Sequence, residues 1–593
     1  MHQNDVIDNM TGYPSIDKPW LKSYPNKPIR EFNTSQKFYT LLEEANKDDL
    51  NNEAINFMGF KGNSWSYKEL FELTNQLADA FVQYGIKENE TVLVATVSGM
   101  DEALSLLTLN KIGVVSKWID VTASARELEE AINEDHCRIV IAFAVIIPEL
   151  EKCIGNTKVE KVLYSTPEQF VRPIKILSKS ISDFRKLIAM KNNNEPLPVM
   201  PKDSRYISFC DFMKLGNKKA LVKTSSYDKN KPILKIQSSG TTGKPKSIVH
   251  TDYTINASLY KSAYTDFPLY PKKVVLKTAP SWVGYGLINT LAMGLAYGMS
   301  VLMTPMIGED TLLALNNKYD IAYGVPLHYR YLSAHLSEIS DMSRPRALLS
   351  GGDKITVQEI ETFQKQFATK GCTAPILNGA GNNEILGAGS VNLIKANKPG
   401  TIGLPLYNEI ISIFDPDTGE EMKYGETGEI CYCSEAAFVG YANNPEKTAQ
   451  VKRLHKDGKV WIHSNDLGSI DEDGFITIVG RLSRIITVAA FKISANQIEE
   501  VVQAHFAVKE CVAVAVPDDE NGEVPMVHIV LKDEYASKQT EIEKEIRDLC
   551  SASLKAKAVP KYYHFMEFIP YTSNNKQDFK RLEQMGRELI QAN

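Results

Sequence analysis

A short loop rich in glycine, hydroxyl side chains and lysine is the segment most suited to chemistry. Lys235–His250 reads KIQSSGTTGKPKSIVH, and the apolar stretch Ile233–Ile236 predicts a strand leading into it. Glycine lets a backbone turn tightly and bring its N–H groups close to a ligand, while hydroxyls and lysines add donors and positive charge. We therefore predict a polyphosphate site formed by Ser238, Ser239, Gly240, Thr241, Thr242, Gly243, Lys244 and Lys246.

This loop differs from the P-loop of many nucleotide hydrolases. The P-loop pattern GxxxxGK[ST] needs another glycine spacing and a serine or threonine directly after its lysine. Here Pro245 follows Lys244. A P-loop is thus excluded, and the alternative to an anion site is a polar surface turn.

The string SSGTTGKPK resembles the phosphate-binding signature of the adenylate-forming superfamily. That group contains acyl- and aryl-CoA synthetases, the adenylation domains of nonribosomal peptide synthetases, and luciferase. Eleven further segments resemble family motifs and follow in the family's order: Pro19–Tyr24, Trp65–Leu70, Ser124–Ala131, Ser350–Asp353, Lys398–Pro405, Gly425–Glu429, Val439–Thr448, Ser464–Leu467, Gly480–Arg481, Ala513–Pro525 and Pro570–Leu582. The resemblance implies an enzyme that makes an acyl-adenylate from a carboxylic acid and ATP, then passes the acyl group to a second acceptor.

Four side chains acquire roles through this resemblance. Glu384, at the end of NGAGNNE, aligns with the family glutamate that binds Mg²⁺, a hard cation that prefers carboxylate oxygen. Asp466 matches the aspartate that accepts hydrogen bonds from both ribose hydroxyls, and Arg481 matches the arginine that reaches the ribose or phosphates. Lys576 matches the C-terminal catalytic lysine, whose ammonium group would offset the repulsion between the substrate carboxylate and the α-phosphate.

The resemblance also implies further nucleotide contacts and exposes departures from the family pattern. The implied contacts are Gly351, Gly352, Asp353, Asn378, Gly379, Ala380, Gly381 and Asn383. Ala380 stands where the family often has an aromatic residue that stacks on adenine, and Asn383 stands where it has threonine. Asn465 and Asn575 replace the glycines beside Asp466 and Lys576.

A hinge is expected at Ser483, where the family more often has aspartate or lysine. Relatives rotate their small domain about this position after adenylation, which removes the catalytic lysine and presents another face to the acceptor. Ala489 and Ala490 replace a glycine-containing pair in the loop that approaches the pantetheine thiol in relatives. Their added Cβ atoms would crowd that approach.

The segment Thr278–Leu287, TAPSWVGYGL, resembles the part of the family that lies against the acid. It contains no carboxylate, and a buried substrate ammonium without a partner would be costly. We therefore expect a carboxylic acid without an α-amino group. The expected pocket residues are Trp282, Val283, Tyr285 and Gly286, with plain core packing as the alternative.

The elements that must position these residues follow an alternating pattern. Thr91–Thr96, Arg138–Ile147, Val274–Leu276, Ser300–Met303 and Ile321–Val325 are short apolar runs typical of strands buried on both faces, and Tyr67–Tyr84, Asp101–Lys111 and Ala125–Ile132 have helical spacing. The pattern predicts an α/β fold with mainly parallel sheets. Leu287–Tyr297 followed by Val301–Met303 predicts a buried helix and strand, not a membrane span.

The last hundred or so residues predict a smaller α+β unit. Ile498–His505 and Glu541–Lys555 have the spacing of helices, and Glu510–Val516 and Val527–Leu531 that of strands. We expect a large, multi-lobed AMP-binding domain over residues 1–482 and a mobile C-terminal lid domain over residues 483–593. The polar stretch from about Pro173 to Lys231 predicts a surface excursion.

Composition excludes several classes of protein. The 593 residues are 43% hydrophobic and 24% charged, with a net charge of −6, so the chain is neither disordered nor suited to binding nucleic acid. The eight cysteines show no CxxC spacing and no accompanying histidine cluster, which argues against a zinc site or a disulfide framework. The N-terminus has no signal-peptide core, so we expect a cytoplasmic protein.

Three functions remain open from the sequence. The first is an acyl-CoA synthetase that uses ATP, Mg²⁺ and coenzyme A. The second is a stand-alone adenylation enzyme that loads the phosphopantetheine of a carrier protein in trans. The third is a degenerate nucleotide-binding protein without turnover, against which Glu384, Asp466, Arg481 and Lys576 argue.

Overall fold

The large N-terminal part of the molecule is built on two mainly parallel sheets. The computed structural model describes residues 10–57, 63–166, 169–170, 198–237, 246–304, 317–489, 491–571 and 577–592. The nine strands of the first sheet are, in spatial order, Leu404–Pro405, Gly387–Val391, Ile376–Asn382, Ala347–Ser350, Ile321–Gly324, Val274–Lys277, Ser300–Met303, Glu53–Phe57 and Ser64–Ser66. The six strands from Ile376–Asn382 to Glu53–Phe57 pair in parallel.

The second sheet carries the strands on either side of the predicted phosphate loop. Its eight strands are, in spatial order, Gly440–Tyr441, Ser247–Thr251, Pro232–Gln237, Val115–Trp118, Thr91–Ala95, Ile139–Phe143, Lys161–Ser165 and Tyr206–Ser208. The six from Pro232–Gln237 to Tyr206–Ser208 are parallel. The prediction of an α/β fold with mainly parallel sheets is confirmed.

Two smaller sheets complete the described architecture. The third consists of antiparallel strands Ile410–Phe414, Gly428–Cys433, Val460–Ile470 and Lys452–Leu454, with Ile476–Arg481 also paired to Val460–Ile470. The fourth lies in the C-terminal part and contains Phe491–Ser494, Ile485–Val488, Gly522–Leu531 and Val508–Asp518, with Tyr562–Phe565 paired to Gly522–Leu531. A separate hydrophobic cluster, with members from Ile486 to Leu582, forms the core of this C-terminal α+β domain.

Helices cover the sheets. The described α-helices are Pro14–Asp17, Phe38–Asn46, Tyr67–Tyr84, Met100–Lys111, Ala125–Glu134, Ile147–Cys153, Phe209–Lys214, Asp252–Tyr260, Gly284–Gly286, Met293–Ala296, Pro326–Ala334, Val357–Ala368, Pro445–Val451, Ala495–Gln503, Gln539–Ser553 and Phe579–Ala592. Local chemistry sets their ends. Tyr67–Tyr84 begins at a capping box between Ser66 and Glu69 and ends at Gly85, whose φ of 88° suits glycine.

The apolar stretch predicted as a buried helix and strand, Leu287–Tyr297 and Val301–Met303, is buried in the structure. A π-helical segment, Leu287–Ala292, continues into Met293–Ala296, and both pack inside the core before the strand Ser300–Met303. Within the described parts of the chain, no helix combines the length and the apolar character needed to cross a membrane.

The predicted surface excursion is partly integrated into the fold. Tyr206–Ser208 adds an edge strand to the second sheet, and Phe209 and Phe212 of the next helix are buried. Residues 171–197 of the excursion lie outside the described residues. This region therefore contributes to the core beyond what its polar composition indicated.

Candidate active site

The predicted phosphate loop joins two neighbouring antiparallel strands. Gln237 at the end of one strand pairs with Ser247 at the start of the other. The predicted ATP-binding residues Ser238 to Lys244 lie outside the described residues, so their placement stays a prediction. Lys246 is half-buried, and its Nζ lies 5.5 Å from the centre of the Tyr441 ring.

Glu384 lies next to this lysine. Residues Asn383–Ile385 form a 3₁₀ turn, and the hydroxyl of Tyr441 donates a hydrogen bond of 2.7 Å to Glu384 Oε1. Burial and the nearby charge of Lys447 lower the pKa of Lys246, an effect that the negative charge of Glu384 opposes. The structure thus brings a carboxylate, a phenol and an ammonium group together where the phosphate loop ends.

This arrangement fits a bound Mg²⁺. Magnesium in nucleotide sites is usually held by one or two carboxylates together with substrate phosphates. Glu384 is half-buried, with one oxygen committed to Tyr441 and the carboxylate oriented by that contact. A single preorganised carboxylate beside a lysine-bearing loop is the donor set that such a site requires.

The two glycine-rich segments predicted to contact adenine lie together. Gly351 follows the strand Ala347–Ser350, and Ser350 pairs in parallel with Asn378 on the neighbouring strand. A Cβ at Gly351 would lie 3.4 Å from the carbonyl oxygen of Gly379. Both segments therefore occupy the carboxyl ends of adjacent parallel strands, where ligands bind in open α/β sheets.

A close backbone contact explains one glycine of these segments, and a left-handed backbone conformation explains another. A Cβ at Gly381 would lie 1.9 Å from the Gly387 carbonyl oxygen, so no larger residue fits there without a shift of the backbone. Gly352 has a φ of 81°, a conformation that favours glycine. Ala380 directly precedes Gly381, in a strand with a register shift at Ala380/Gly381.

Asp466 and Arg481 form a cross-strand ion pair. They lie directly opposite each other on antiparallel strands, with Arg481 Nε 2.8 Å from Asp466 Oδ1. Burial raises the pKa of Asp466 above its usual value although Arg481 acts to lower it. The backbone N–H of Asp466 donates to Ser464 Oγ at 3.0 Å, which fixes the turn that presents the carboxylate.

A buried group behind Asp466 was not indicated by the sequence spacing. His463 Nδ1 lies 2.7 Å from Glu429 Oε2 and 3.4 Å from Cys431 Sγ, since strand pairing brings Cys431 opposite His463. One histidine therefore lies beside a cysteine at this position, a proximity that the sequence spacing does not show. Glu429 Oε1 also accepts from the Asn465 N–H at 2.9 Å, so the group supports the Asp466 turn.

The eight cysteines form no disulfide among the described residues. All eight are free thiols, six of them buried and two half-buried. Burial and the adjacent Glu429 raise the pKa of Cys431 well above its usual value, so it stays a neutral thiol. The absence of a disulfide framework predicted from spacing agrees with the structure.

The predicted acid pocket lies between the two large sheets. Trp282 packs against a small apolar cluster that includes Val97 and Phe143. Tyr285 donates a hydrogen bond of 3.2 Å from its hydroxyl to Gly324 O, and a Cβ at Gly351 would lie 3.7 Å from its ring. Tyr285 thus covers the carboxyl ends of two central strands.

The backbone of this segment contacts the Glu384 turn. The Gly284 N–H donates to Asn383 Oδ1 at 3.0 Å, so Asn383 links the acid segment to Glu384. A Cβ at Gly286 would lie 2.1 Å from Pro280 O, which explains the glycine. Val283, the remaining predicted pocket residue, is half-buried.

A buried ion pair lies just before the acid segment. Lys277 Nζ is 3.1 Å from Glu102 Oε1, and neither side chain is exposed. Lys277 also donates to Ser98 Oγ at 2.6 Å and Ala279 O at 2.9 Å. The Glu102 carboxylate near this segment is therefore already paired with a lysine.

The predicted hinge contacts the turn that precedes Asp466. Asn465 Nδ2 donates a hydrogen bond of 3.1 Å to Ser483 Oγ. Asn465 has a φ of 65° and Ala489 a φ of 47°, both in the left-handed region. Ala490 lies outside the described residues.

The segment that contains Lys576 is described only at its flanks. Residues 572–576, and with them Asn575 and Lys576, lie outside the described residues. Tyr571 and Gln577 bridge each other, and both side chains donate to Glu510 Oε1. The position of Lys576 relative to the nucleotide site stays a prediction.

Sequence reasoning missed Tyr441 as a partner of Glu384. The two residues are 57 positions apart, and the pairing of Gly440–Tyr441 with Ser247–Thr251 helps to bring them together. A signal was present, because Tyr441 lies in Val439–Thr448, one of the segments that resembles a family motif.

Comparisons with known proteins match most of the chain. The family model described as AMP-binding enzyme matches residues 42–442, and the model of the AMP-binding enzyme C-terminal domain matches residues 497–576. A long-chain-fatty-acid–CoA ligase of Bacillus subtilis is 26% identical over 580 residues, which cover 95% of this chain and 97% of the relative. A luciferin 4-monooxygenase of Photinus pyralis is 25% identical, covering 88% of each.

Solved structures share the fold. An anthranilate CoA ligase in complex with anthranoyl-AMP superimposes with a TM-score of 0.76 at 20% identity, covering 94% of this chain and 98% of that one. A benzoate CoA ligase from Burkholderia xenovorans gives a TM-score of 0.72 at 21% identity, covering 92% and 99%.

Proposed function

This chain belongs to the AMP-binding enzyme family, and we propose that it activates a carboxylic acid with ATP and transfers the acyl group to coenzyme A. The observation that carries the proposal is the convergence of Glu384, Tyr441 and Lys246 at the end of the phosphate loop. Such a cluster binds and orients a metal-bound polyphosphate.

The proposed first step forms an acyl-adenylate. A carboxylate oxygen of the acid attacks the α-phosphorus of ATP, the bond to the β-phosphate oxygen breaks, and pyrophosphate leaves. Residues Ser238 to Lys246 hold the phosphates, Asp466 accepts hydrogen bonds from the ribose hydroxyls, and Lys576 lies between the two reacting anions. When bound to Glu384, Mg²⁺ neutralises charge on the phosphates.

The proposed second step transfers the acyl group. The thiolate of coenzyme A attacks the acyl carbon, the bond to the adenylate oxygen breaks, and AMP leaves. We propose that the lid domain, residues 483–593, turns about Ser483 between the steps. Several relatives are named CoA ligases, which favours coenzyme A over a carrier protein as acceptor.

We propose an acid without an α-amino group. The acid segment offers Trp282, Val283 and Tyr285, and the nearby Glu102 is already paired with Lys277. The segment Thr278–Leu287 itself contains no carboxylate that could pair with a substrate ammonium. Fatty acids and aromatic acids, the classes named for the relatives, are the first candidates.

Pyrophosphate release over a panel of acids, with and without coenzyme A, tests the proposal. We expect release that depends on ATP, on Mg²⁺ and on one class of acid, and an acyl thioester only when coenzyme A is present. Release without thioester formation would move the acceptor to a carrier protein. No release with any fatty, aryl or amino acid would refute adenylation and leave a nucleotide-binding protein.

A further inference from the structure

The turn that carries Glu384 adopts a backbone conformation that needs outside support. Asn383–Ile385 make one 3₁₀ turn, and Leu386 follows with a φ of 57°. A left-handed conformation is disfavoured for a residue with a Cβ, because the Cβ approaches the following carbonyl oxygen. The turn also leaves several carbonyl groups unpaired within itself, and these must find donors elsewhere.

One segment supplies donors to the second half of the turn. Lys261 Nζ donates to Ile385 O at 2.8 Å and to Ala388 O at 3.2 Å, so it bridges the left-handed residue. Ser258 Oγ donates to Leu386 O at 3.0 Å. Both side chains are buried at the end of the helix Asp252–Tyr260.

Two further donors hold the first half. His250 Nε2 lies 2.8 Å from Asn383 O, and the Phe438 N–H donates to Glu384 O at 2.7 Å. Burial lowers the pKa of His250 to about 3, so the ring is neutral and its single N–H can point at that carbonyl. Four consecutive carbonyl groups, from Asn383 to Leu386, therefore each accept from a donor outside the turn.

Lys261 is itself fixed by a buried charge. Its Nζ lies 3.0 Å from Glu409 Oε1, with 1% of the lysine side chain and none of the glutamate exposed. Ser434 Oγ donates to the same glutamate oxygen at 2.6 Å. An isolated buried ammonium would be costly, so Glu409 is what allows Lys261 to stand beneath the turn as a cation.

We propose that Lys261, paired with Glu409, is a positioning residue that holds Glu384 in the orientation needed to bind Mg²⁺ with ATP. The inference rests on the proposed function, because it assigns a support to that same metal site. His250, Ser258 and Lys261 all lie in the fifteen residues that follow Lys246. The segment leaving the phosphate loop and the support of the carboxylate are therefore one continuous piece of chain.

The test measures ATP binding by isothermal titration calorimetry at increasing Mg²⁺ concentrations, with thermal unfolding as a check on the fold. Residues that support a metal ligand typically change metal affinity 10–100-fold, so Lys261→Met should raise the half-saturating Mg²⁺ concentration by about tenfold. Lys37→Met is the matched control. Lys37 forms an equally buried pair with Asp252, at 2.9 Å, and its described hydrogen bonds do not reach residues 383–388. Its Mg²⁺ requirement should equal that of the wild type.

Two more variants keep the proposal falsifiable if Lys261→Met does not fold. The double variant Lys261→Met/Glu409→Gln removes the unpaired carboxylate. Ser258→Ala removes no charge, only the hydrogen bond that its hydroxyl donates to Leu386 O and the one that it accepts from Asn289 Nδ2, and should raise the Mg²⁺ requirement about threefold. If every folded variant has the wild-type Mg²⁺ requirement, the positioning role of Lys261 is refuted, while the proposed function is unaffected. If the wild type binds no ATP at any Mg²⁺ concentration, the proposed function itself fails.

Discussion

The amide of Asn465 donates a hydrogen bond of 3.1 Å to the hydroxyl of Ser483. One residue precedes the predicted ribose-binding Asp466, and the other occupies the predicted hinge. By the resemblance of the motifs, Asn465 replaces the usual glycine of the family, and Ser483 stands where the family more often has aspartate or lysine. Two departures from the family pattern thus contact each other, and we expect that contact to hold the lid in the arrangement seen here.

Ser483→Ala should therefore favour the second half-reaction. A hydrogen bond of this kind contributes about 0.5–1.5 kcal/mol, so its loss should speed acyl transfer relative to adenylation by roughly two- to tenfold. Single-turnover measurements that separate the two steps check this. Ser333→Ala is the control. It removes a serine hydrogen bond, to Gln366, that involves neither Asn465 nor Ser483, and it should leave the ratio of the two rates unchanged. If the ratio of acyl transfer to adenylation rates stays unchanged in Ser483→Ala, the contact between Asn465 and Ser483 does not hold the lid.

Lys576→Ala should abolish most adenylation while sparing nucleotide binding. Loss of one group that stabilises charge in a transition state typically costs about 10²–10³-fold in rate. Pyrophosphate release and ATP binding, measured separately, check the two parts of this expectation. Lys580→Ala, an exposed lysine four residues away, is the control. Wild-type adenylation in Lys576→Ala would remove the lysine from the proposed mechanism.

ATP affinity should fall at acidic pH because of Asp466. Burial raises the pKa of this carboxyl above its usual value, so it takes up a proton at a higher pH than an exposed aspartate does. The neutral acid accepts hydrogen bonds from ribose more weakly, and affinity decreases as the pH falls through that raised pKa. ATP titrations at several pH values measure the decrease.

Asp466→Asn provides the comparison for that pH dependence. The variant should bind ATP about tenfold more weakly at neutral pH, since it loses the charged acceptor and leaves Arg481 without its partner. Its affinity should also lose the acidic decrease attributed to Asp466. The same acidic decrease in Asp466→Asn would assign it to another group.

Ala489→Gly should stabilise the protein. Ala489 has a φ of 47°, and a residue with a Cβ pays about 1 kcal/mol or more in this region, which glycine avoids. Chemical denaturation should show a higher midpoint for the C-terminal domain. Ala552→Gly, at an exposed position in the helix Gln539–Ser553, should instead lower stability, by up to about 1 kcal/mol.

Elements with clear local signals were predicted closely from the sequence. The helix Tyr67–Tyr84 was predicted with its observed ends from its helical spacing, and in the structure a capping box and Gly85 mark those ends. The strand predicted over Arg138–Ile147 ends in fact at Phe143, and a helix begins at Ile147. Both elements are buried, so the uninterrupted apolar run could not show the boundary, and Pro148 near the helix start was the available signal.

The candidate site could be predicted in its motifs but not in its supports. Glu384, Asp466 and Arg481 were identified by resemblance, and the structure places Arg481 against Asp466. Tyr441 and Lys261 contact the Glu384 turn from positions more than fifty residues away. Such contacts follow from sheet pairing and helix packing, which a single sequence does not encode in any local pattern.

The carbonyls around Glu384 draw their donors from both directions along the chain. His250, Ser258 and Lys261 precede the turn, whereas Phe438 and the Glu409 that fixes Lys261 follow it. During synthesis from the N-terminus, the turn is therefore made before two of the groups that secure it exist. The Glu384 turn can therefore have its full set of donors only after the chain has been synthesised past Phe438.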